Sequence, residues 1–212
     1  RGDLAMPYAQ KFIEQFEEET SKGKLGGLLK EANLCGLTAC GGIAYIKASF
    51  PFYYGYKLAE ELCHAAKTDA KEINKEHVPS CLMFHKVQDS FVQSYKDIKA
   101  RELELKIKNE NDSKNSEQEE NFAEKTMKTL CFGPYYMAKQ ENYKTIDWLN
   151  EMVKRLGKAE NEGLKAGVRQ WLSLMHESQA AAEQRRKRLE SLISDTELLH
   201  NLTDAVRRKS NN

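Results

Sequence analysis

Hydrophobic and polar residues follow one another along the first 90 positions in an order that predicts helix, strand, helix and strand. Apolar residues recur every three or four positions over residues 4–21, which predicts an amphipathic helix, and Gly26-Gly27 marks a loop after it. Residues 37–47 are apolar on both faces, as expected of a central strand covered on both sides, and residues 80–87 predict a second strand. The alternation predicts an α/β layer.

The helix predicted between these strands has a narrow face of mostly small residues. Pro51 suits its first turn, because the backbone N–H that proline lacks would have no partner there. The residues that recur on one face are Gly55, Ala59, Leu62, Ala66, Ala70 and Ile73. Small side chains allow close approach, so we expect this helix to pack directly on the strands.

The composition changes after Asp89. Residues 108–120 hold mostly Asn, Ser, Glu and Lys, and so cannot bury enough apolar surface to offset the entropy of ordering. We expect residues 91–120 to form a polar, partly flexible linker. Residues 121–212 predict a helical bundle with apolar stripes that include Val153 and Leu164, and Ser194 with Glu197 has capping-box spacing for a last helix.

The charge, the hydropathy and the cysteines of the chain indicate its partners and its cellular compartment. The 212 residues carry a net charge of +1, and no apolar run reaches the roughly 18–20 residues that a membrane span needs, so no membrane partner is expected. The five cysteines form no CxxC pair and four lie among apolar residues, which predicts reduced thiols in a cytoplasmic protein. Basic clusters at 185–188 and 207–209 have the charge to contact RNA, although a solvated helix surface is the simpler interpretation.

Two features have the residue types for ligand chemistry. Gly41-Gly42 lies within the first predicted strand, where glycine marks a bulge or the close approach of a backbone or a ligand. Lys67 and Lys71 lie one turn apart on the following helix, as two cations that hold a polyphosphate would. Helix packing explains the glycines equally well, and a solvated face that complements the helix dipole explains the lysines.

The order of these features resembles that of a nucleotide-polymerising palm domain. LTACGGIAYI at 37–46, followed by a helix containing AEELCHAAK, is similar to GGDEF-type diguanylate cyclases. It is closer still to the palm of the large polymerase/cyclase-type subunit of type III CRISPR effectors. The residues that carry this resemblance are Gly41, Gly42, Ile43, Pro51, Leu58, Ala59, Glu60, Ala66 and Lys67, with CLMFHKVQDS at 81–90. It covers residues 4–90, under half of the chain.

The resemblance implies a ferredoxin-like palm portion over residues 1–90. The parent protein would transfer nucleotidyl groups from ATP or a related triphosphate with Mg²⁺ or Mn²⁺, including cyclic oligonucleotide synthesis in antiviral defence. Lys67, and secondarily Lys71, would contact the phosphates, and the nucleotide would approach Gly41 and Gly42.

The metal-binding carboxylates of that family have no counterpart in this sequence. In the family, an aspartate of the first strand and a Gly-Gly-Asp-Asp hairpin hold the metals. We therefore expect no catalytic or metal-binding residue here, and an inactive chain by itself. Because the sequence begins with Arg1, we expect those carboxylates to lie upstream.

Two alternatives belong to other classes. One is a degenerate palm that binds RNA or the protein subunits of an effector complex without nucleotide turnover. A Gly-Gly-Asp-Asp hairpin encoded upstream would favour an enzyme that transfers nucleotidyl groups. Its absence would favour the degenerate palm, a non-catalytic scaffold. The other is an α/β domain whose resemblance to a palm is accidental. A first strand that is not paired in an antiparallel sheet would favour this alternative.

Overall fold

The chain is organised as two compact units in the computed structural model, which describes residues 2–34, 36–88, 93–106, 127–129, 133–139, 143–203 and 207–208. The first unit comprises Arg1–Tyr95 and Gly133–Asn150, and the second comprises Lys96–Phe132 and Glu151–Asn212. The division expected from composition, at residues 90 and 120, does not anticipate the return of Gly133–Asn150 to the first unit.

Within the described residues there are eight helices and six short strands. The helices are α1 (Ala5–Thr20), α2 (Gly23–Glu31), α3 (Phe52–Ile73), α4 (Tyr95–Ile98), α5 (Ile146–Leu156), α6 (Glu162–Glu177), α7 (Gln179–Leu192) and α8 (Thr196–Thr203). The strands are β1 (Cys40–Tyr45), β2 (Cys81–Lys86), β3 (Glu104–Lys106), β4 (Met127–Thr129), β5 (Tyr135–Tyr136) and β6 (Arg207–Arg208). No helix in these ranges is long and apolar enough to cross a membrane.

The opening helix and both predicted strands are confirmed, but the predicted loop at Gly26-Gly27 is wrong. That segment forms α2, directly after α1. A Cβ on Gly26 would lie 2.2 Å from the Ser21 carbonyl oxygen, so the tight connection between the two helices needs glycine at this position. The glycines mark a close approach within helical structure instead of a loop.

The first unit contains a three-stranded sheet in the order β1-β2-β5. Strands β1 and β2 are parallel neighbours, with Cys40 opposite Cys81 and Tyr45 opposite Lys86. Helix α3 connects them, as parallel neighbours require, and β5 pairs antiparallel with β2. Among the described residues no strand pairs with the other edge of β1. The mixed α/β class is confirmed. Strand β1 lies at an edge of this sheet instead of at its centre, and its parallel pairing with β2 is the arrangement that favours an accidental resemblance. The ferredoxin-like palm stays a prediction.

Helix α3 packs on β1 and β2 through the face predicted from its small residues. Its buried residues are Gly55, Leu58, Leu62, Ala66 and Ala70. Small residues at three of these five positions bring the helix backbone close to the sheet. The prediction is correct for Gly55, Leu62, Ala66 and Ala70. Leu58 is also buried, and Ala59 and Ile73 are only half-buried.

The second unit is largely helical, and helices α6, α7 and α8 contact one another. Leu164, Leu198 and Leu199 are fully buried among them. A small antiparallel sheet, in the order β3-β4-β6, accompanies these helices and was not predicted. In α5, Met152 is buried and Val153 is 60% exposed, so the predicted stripe is one residue out of phase there. The predicted flexible segment, 108–120, lies outside the described residues.

Helix α8 is capped by Asp195 and not by the predicted Ser194. Asp195 Oδ1 accepts the Leu198 N–H at 3.0 Å, and Oδ2 accepts the Arg155 Nε–H at 3.1 Å. The hydrogen bonds from Arg155 hold the pKa of Asp195 below its usual range. The Asp195 carboxylate thus caps the N-terminus of α8 and binds Arg155 of α5, and so links the two helices.

Replacing Asp195 by alanine is expected to lower the free energy of unfolding by about 1–2 kcal/mol, since both the cap and the ion pair are lost. Asp195→Asn keeps a capping oxygen and should lose less. Because the folded state lowers the pKa of Asp195, the stabilisation by the charge is present above the pKa of the unfolded chain. It is lost as the pH falls through the folded value. Urea unfolding at pH 7 and pH 3 measures both effects, and equal losses for the two variants at pH 7 would rule out the cap.

Candidate functional site

Packing against the backbone of α3 requires glycine at Gly42, whereas at Gly41 only a side chain lies close. A Cβ on Gly42 would lie 2.1 Å from the Ala59 carbonyl oxygen and 2.5 Å from the Cys63 backbone nitrogen. A Cβ on Gly41, on the opposite face of β1, would lie 2.6 Å from a methyl group of Leu82. Helix α3 therefore makes the close approach at Gly42 and leaves no room for a nucleotide on that face. An approach to Gly41 stays a prediction.

Lys67 and Lys71 are exposed on the C-terminal half of α3. Because α3 runs back along β1, both lysines act electrostatically on Cys40, the first residue of that strand. In the part of the chain that the structure describes, neither ammonium group forms an ion pair. The structure thus brings the two predicted lysines to one end of β1, while Gly42 lies beneath the preceding turn of α3.

Three side chains that the sequence did not single out form a row across the sheet at this end. Cys40 on β1 lies opposite Cys81 on β2, and Cys81 lies opposite Tyr136 on β5. Residues directly opposite on neighbouring strands project to the same face of a sheet. The row lies on the face covered by α3, since Cys81 Sγ is 3.4 Å from the carbonyl oxygen of Ala66.

The two sulfur atoms of this row are in contact. Cys81 Sγ lies 3.7 Å from Cys40 Sγ, and Cys40 Sγ lies 3.9 Å from the Pro79 carbonyl oxygen. A third thiol, Cys63 on α3, donates to the carbonyl oxygen of Cys40 at 3.2 Å. Both thiols of the contacting pair are reduced. This contact makes them the most closely associated pair of nucleophilic groups in the described site.

The surroundings of Cys40, Cys81 and Tyr136 give the three side chains different pKa values. A hydrogen bond from the Cys81 thiol, aided by Lys67 and Lys71, lowers the pKa of Cys40 to about 7. The same hydrogen bond, which Cys81 donates, raises the pKa of Cys81 well above its usual range, and burial raises it further. Burial also raises the pKa of Tyr136, so its hydroxyl stays protonated. Cys40 is thus the thiol that ionises near neutral pH.

Sequence reasoning placed these cysteines in the core but did not pair them. Cys40 and Cys81 are 41 positions apart, and no spacing rule connects residues on different strands. Only the register of β1 on β2 brings them opposite one another. The available signal was that each cysteine lies near the start of a predicted strand, 37–47 or 80–87, and that a single helix links the two strands.

No metal site accompanies these residues. Within the described ranges no three His, Cys, Asp or Glu side chains are grouped so that they could hold an ion. Mg²⁺ and Mn²⁺ prefer several oxygen ligands, whereas this end of the sheet presents thiols and ammonium groups. The described donor set does not fit the metal that the palm resemblance implies.

Neither the known protein-family models nor the curated protein sequences give a match to this chain.

Proposed function

We propose that the first unit is part of a nucleotide-binding palm domain of the kind found in the large subunit of type III CRISPR effectors. In this proposal Lys67 contacts the phosphates of a nucleoside triphosphate, and Lys71 assists it. The observation that carries the proposal is the position of Lys67, exposed at the end of a strand-helix-strand element with the predicted order of motifs.

The electrostatics at the end of β1 support this role. Lys67 and Lys71 lie one helical turn apart, and their joint effect on the Cys40 pKa indicates a positive potential beside the strand. An ammonium group is a compact cation with three donors, which suits the oxygens of a phosphate. A polyphosphate laid along this turn of α3 would meet both lysines.

One edge of β1 pairs with no strand in the described part of the chain, and this supports a larger sheet in the parent protein. Strand β1 is composed of Cys, Gly, Ile, Ala and Tyr, without the charged residues or proline that commonly protect an edge strand. A further strand paired there would extend the sheet. We propose that such strands carry the carboxylates for Mg²⁺ or Mn²⁺ in the parent, because the described residues offer none in a group.

Replacing Lys67 by alanine is expected to weaken binding of ATP to the full-length protein by at least tenfold, about 1.4 kcal/mol. The loss follows from removing a cation that contacts the phosphates. Calorimetric titration of ATP with Mg²⁺ measures the change. Lys57→Ala is the matched control, because Lys57 is exposed on the same helix about 15 Å away and should leave the affinity unchanged.

The controls separate a phosphate site from general electrostatics. Equal weakening by Lys57→Ala and Lys67→Ala would show a diffuse effect of charge and would contradict the assigned contact. If the wild-type protein binds no ATP, the enzyme hypothesis fails. Binding of single-stranded RNA in that case would support the scaffold.

A further inference from the structure

We propose that Cys40 and Cys81 form a redox-active thiol pair that a hydroperoxide converts into a disulfide between β1 and β2. The site is the row Cys40, Cys81 and Tyr136 beneath the C-terminal half of α3. It stands on contacts within the sheet and does not depend on the nucleotide role of Lys67.

The geometry of the pair is close to that of a disulfide. The sulfur atoms are 3.7 Å apart, and bonding requires about 2.05 Å. Directly opposite residues on neighbouring strands have Cα atoms about 4.8 Å apart, within the range of about 4.4–6.8 Å that disulfides span. Side-chain rotation at the two cysteines is therefore enough to close the bond, and the strands keep their register.

Burial assigns different roles to the two thiols. Cys40 is half-buried, whereas Cys81 is fully buried, so Cys40 is the more accessible residue of the pair. Cys40 is also the thiol whose thiolate is stabilised, by the Cys81 hydrogen bond and by two lysines of α3. The oxidant therefore reacts first with Cys40. The buried Cys81 thiol then reacts with the oxidised Cys40 to form the disulfide.

The chemistry balances with a hydroperoxide as the only co-reactant. The Cys40 thiolate attacks the terminal oxygen of the hydroperoxide, the O–O bond breaks, and an alcohol or water leaves after taking up a proton. The resulting sulfenic acid on Cys40 is then attacked by the Cys81 sulfur. The S–S bond forms, the S–O bond breaks, and hydroxide leaves with the Cys81 proton as water. Two thiols are oxidised and one peroxide is reduced.

Tyr136 provides a donor at this row. Its side chain is fully buried, and among the described residues its hydroxyl has no hydrogen-bond partner. Tyr136 lies directly opposite Cys81 on β5, so its unpaired hydroxyl belongs to the same row as the two thiols.

The pH dependence follows from the groups that face Cys40. Helix α3 contributes Cys63, Lys67 and Lys71, β2 contributes Cys81, and β5 contributes Tyr136, while Asp69 of α3 acts on Cys81 and Tyr136. Cys81 and Tyr136 stay protonated near neutral pH, so Cys40 determines the rate. With a pKa of about 7 its thiolate fraction rises about tenfold from pH 6 to pH 8. The oxidation rate should rise by the same factor.

Hydrogen peroxide is the probe for the experiment on the full chain. After oxidation and quenching with N-ethylmaleimide, tryptic mapping without reduction is expected to show peptide 31–47 linked to peptide 76–86. Tandem mass spectra separate Cys40 from Cys35, which shares the first peptide. The same link should form in Cys63→Ala and Cys35→Ala variants. In Cys81→Ala, Cys40 should stop as a sulfenic acid that dimedone traps.

Three results would overturn the proposal. These are a wild-type map without the Cys40–Cys81 link, a link from Cys40 to Cys63, and a rate that does not change between pH 6 and pH 8. The peptide map of the oxidised wild-type protein tests the proposal even if the Cys81→Ala variant fails to fold.

Discussion

Replacing Gly42 by alanine is expected to destabilise the first unit by at least about 3 kcal/mol, at or above the upper end of typical overpacking losses. The added Cβ would lie 2.1 Å from one backbone atom of α3 and 2.5 Å from another. A backbone cannot rotate away as a flexible side chain can, so the helix must separate from β1. Urea unfolding, compared with the wild type, measures the loss.

Gly27→Ala is the matched control for this prediction. Gly27 lies within α2, and a Cβ there meets nothing within 4 Å. Alanine should stabilise the helix by about 0.5–1 kcal/mol, the opposite sign to Gly42→Ala. If Gly42→Ala instead kept its stability and lost only affinity for ATP, Gly42 would be a ligand contact and not a packing contact.

Replacing Leu62 by alanine is expected to remove about 2–5 kcal/mol from the free energy of unfolding. Leu62 is fully buried on the face of α3 that packs on the sheet, and its Cβ closes the space above Gly42. Truncation leaves a cavity that the close helix-sheet contact cannot fill. Thermal or urea unfolding of the variant measures the effect.

Two control variants show whether the loss of stability at Leu62 comes from the cavity. Leu62→Met nearly conserves volume and should lose less than about 1.5 kcal/mol. Leu28→Ala removes a leucine that is 63% exposed on α2, and should change stability by no more than about 0.5 kcal/mol. A loss at Leu62 as small as that at Leu28 would mean that α3 is not anchored through this face.

The predictions for Gly42 and Leu62 concern the contact that also positions the thiol row and the lysines. Helix α3 is tied to β1 at Gly42, and one turn further along it presents Lys67 beside Cys40. A variant that separates α3 from the sheet should therefore impair both proposed sites together. Lys67→Ala, by contrast, should weaken the nucleotide site, raise the pKa of Cys40 and so slow its oxidation near neutral pH, while the two thiols stay in contact.

The local pattern of the sequence determined most of the first unit. Apolar residues at three- and four-residue spacing identified α1, short apolar runs identified β1 and β2, and the spacing of small residues identified most of the buried face of α3. These signals work because each depends on residues close in sequence, whose side chains share a face through the fixed geometry of a helix or a strand. Where the local signal was ambiguous, as at Gly26 and Ser194, a neighbouring contact decided the outcome.

Only the tertiary structure decided how distant segments meet. The return of Gly133–Asn150 adds β5 to the sheet, and the register of three strands places Cys40, Cys81 and Tyr136 side by side. Register is set by packing and hydrogen bonds between strands far apart in sequence, and a shift of one residue would turn each side chain to the other face. The sequence by itself therefore determined α1, β1, β2 and α3 with its two lysines, whereas the fold determined the thiol pair.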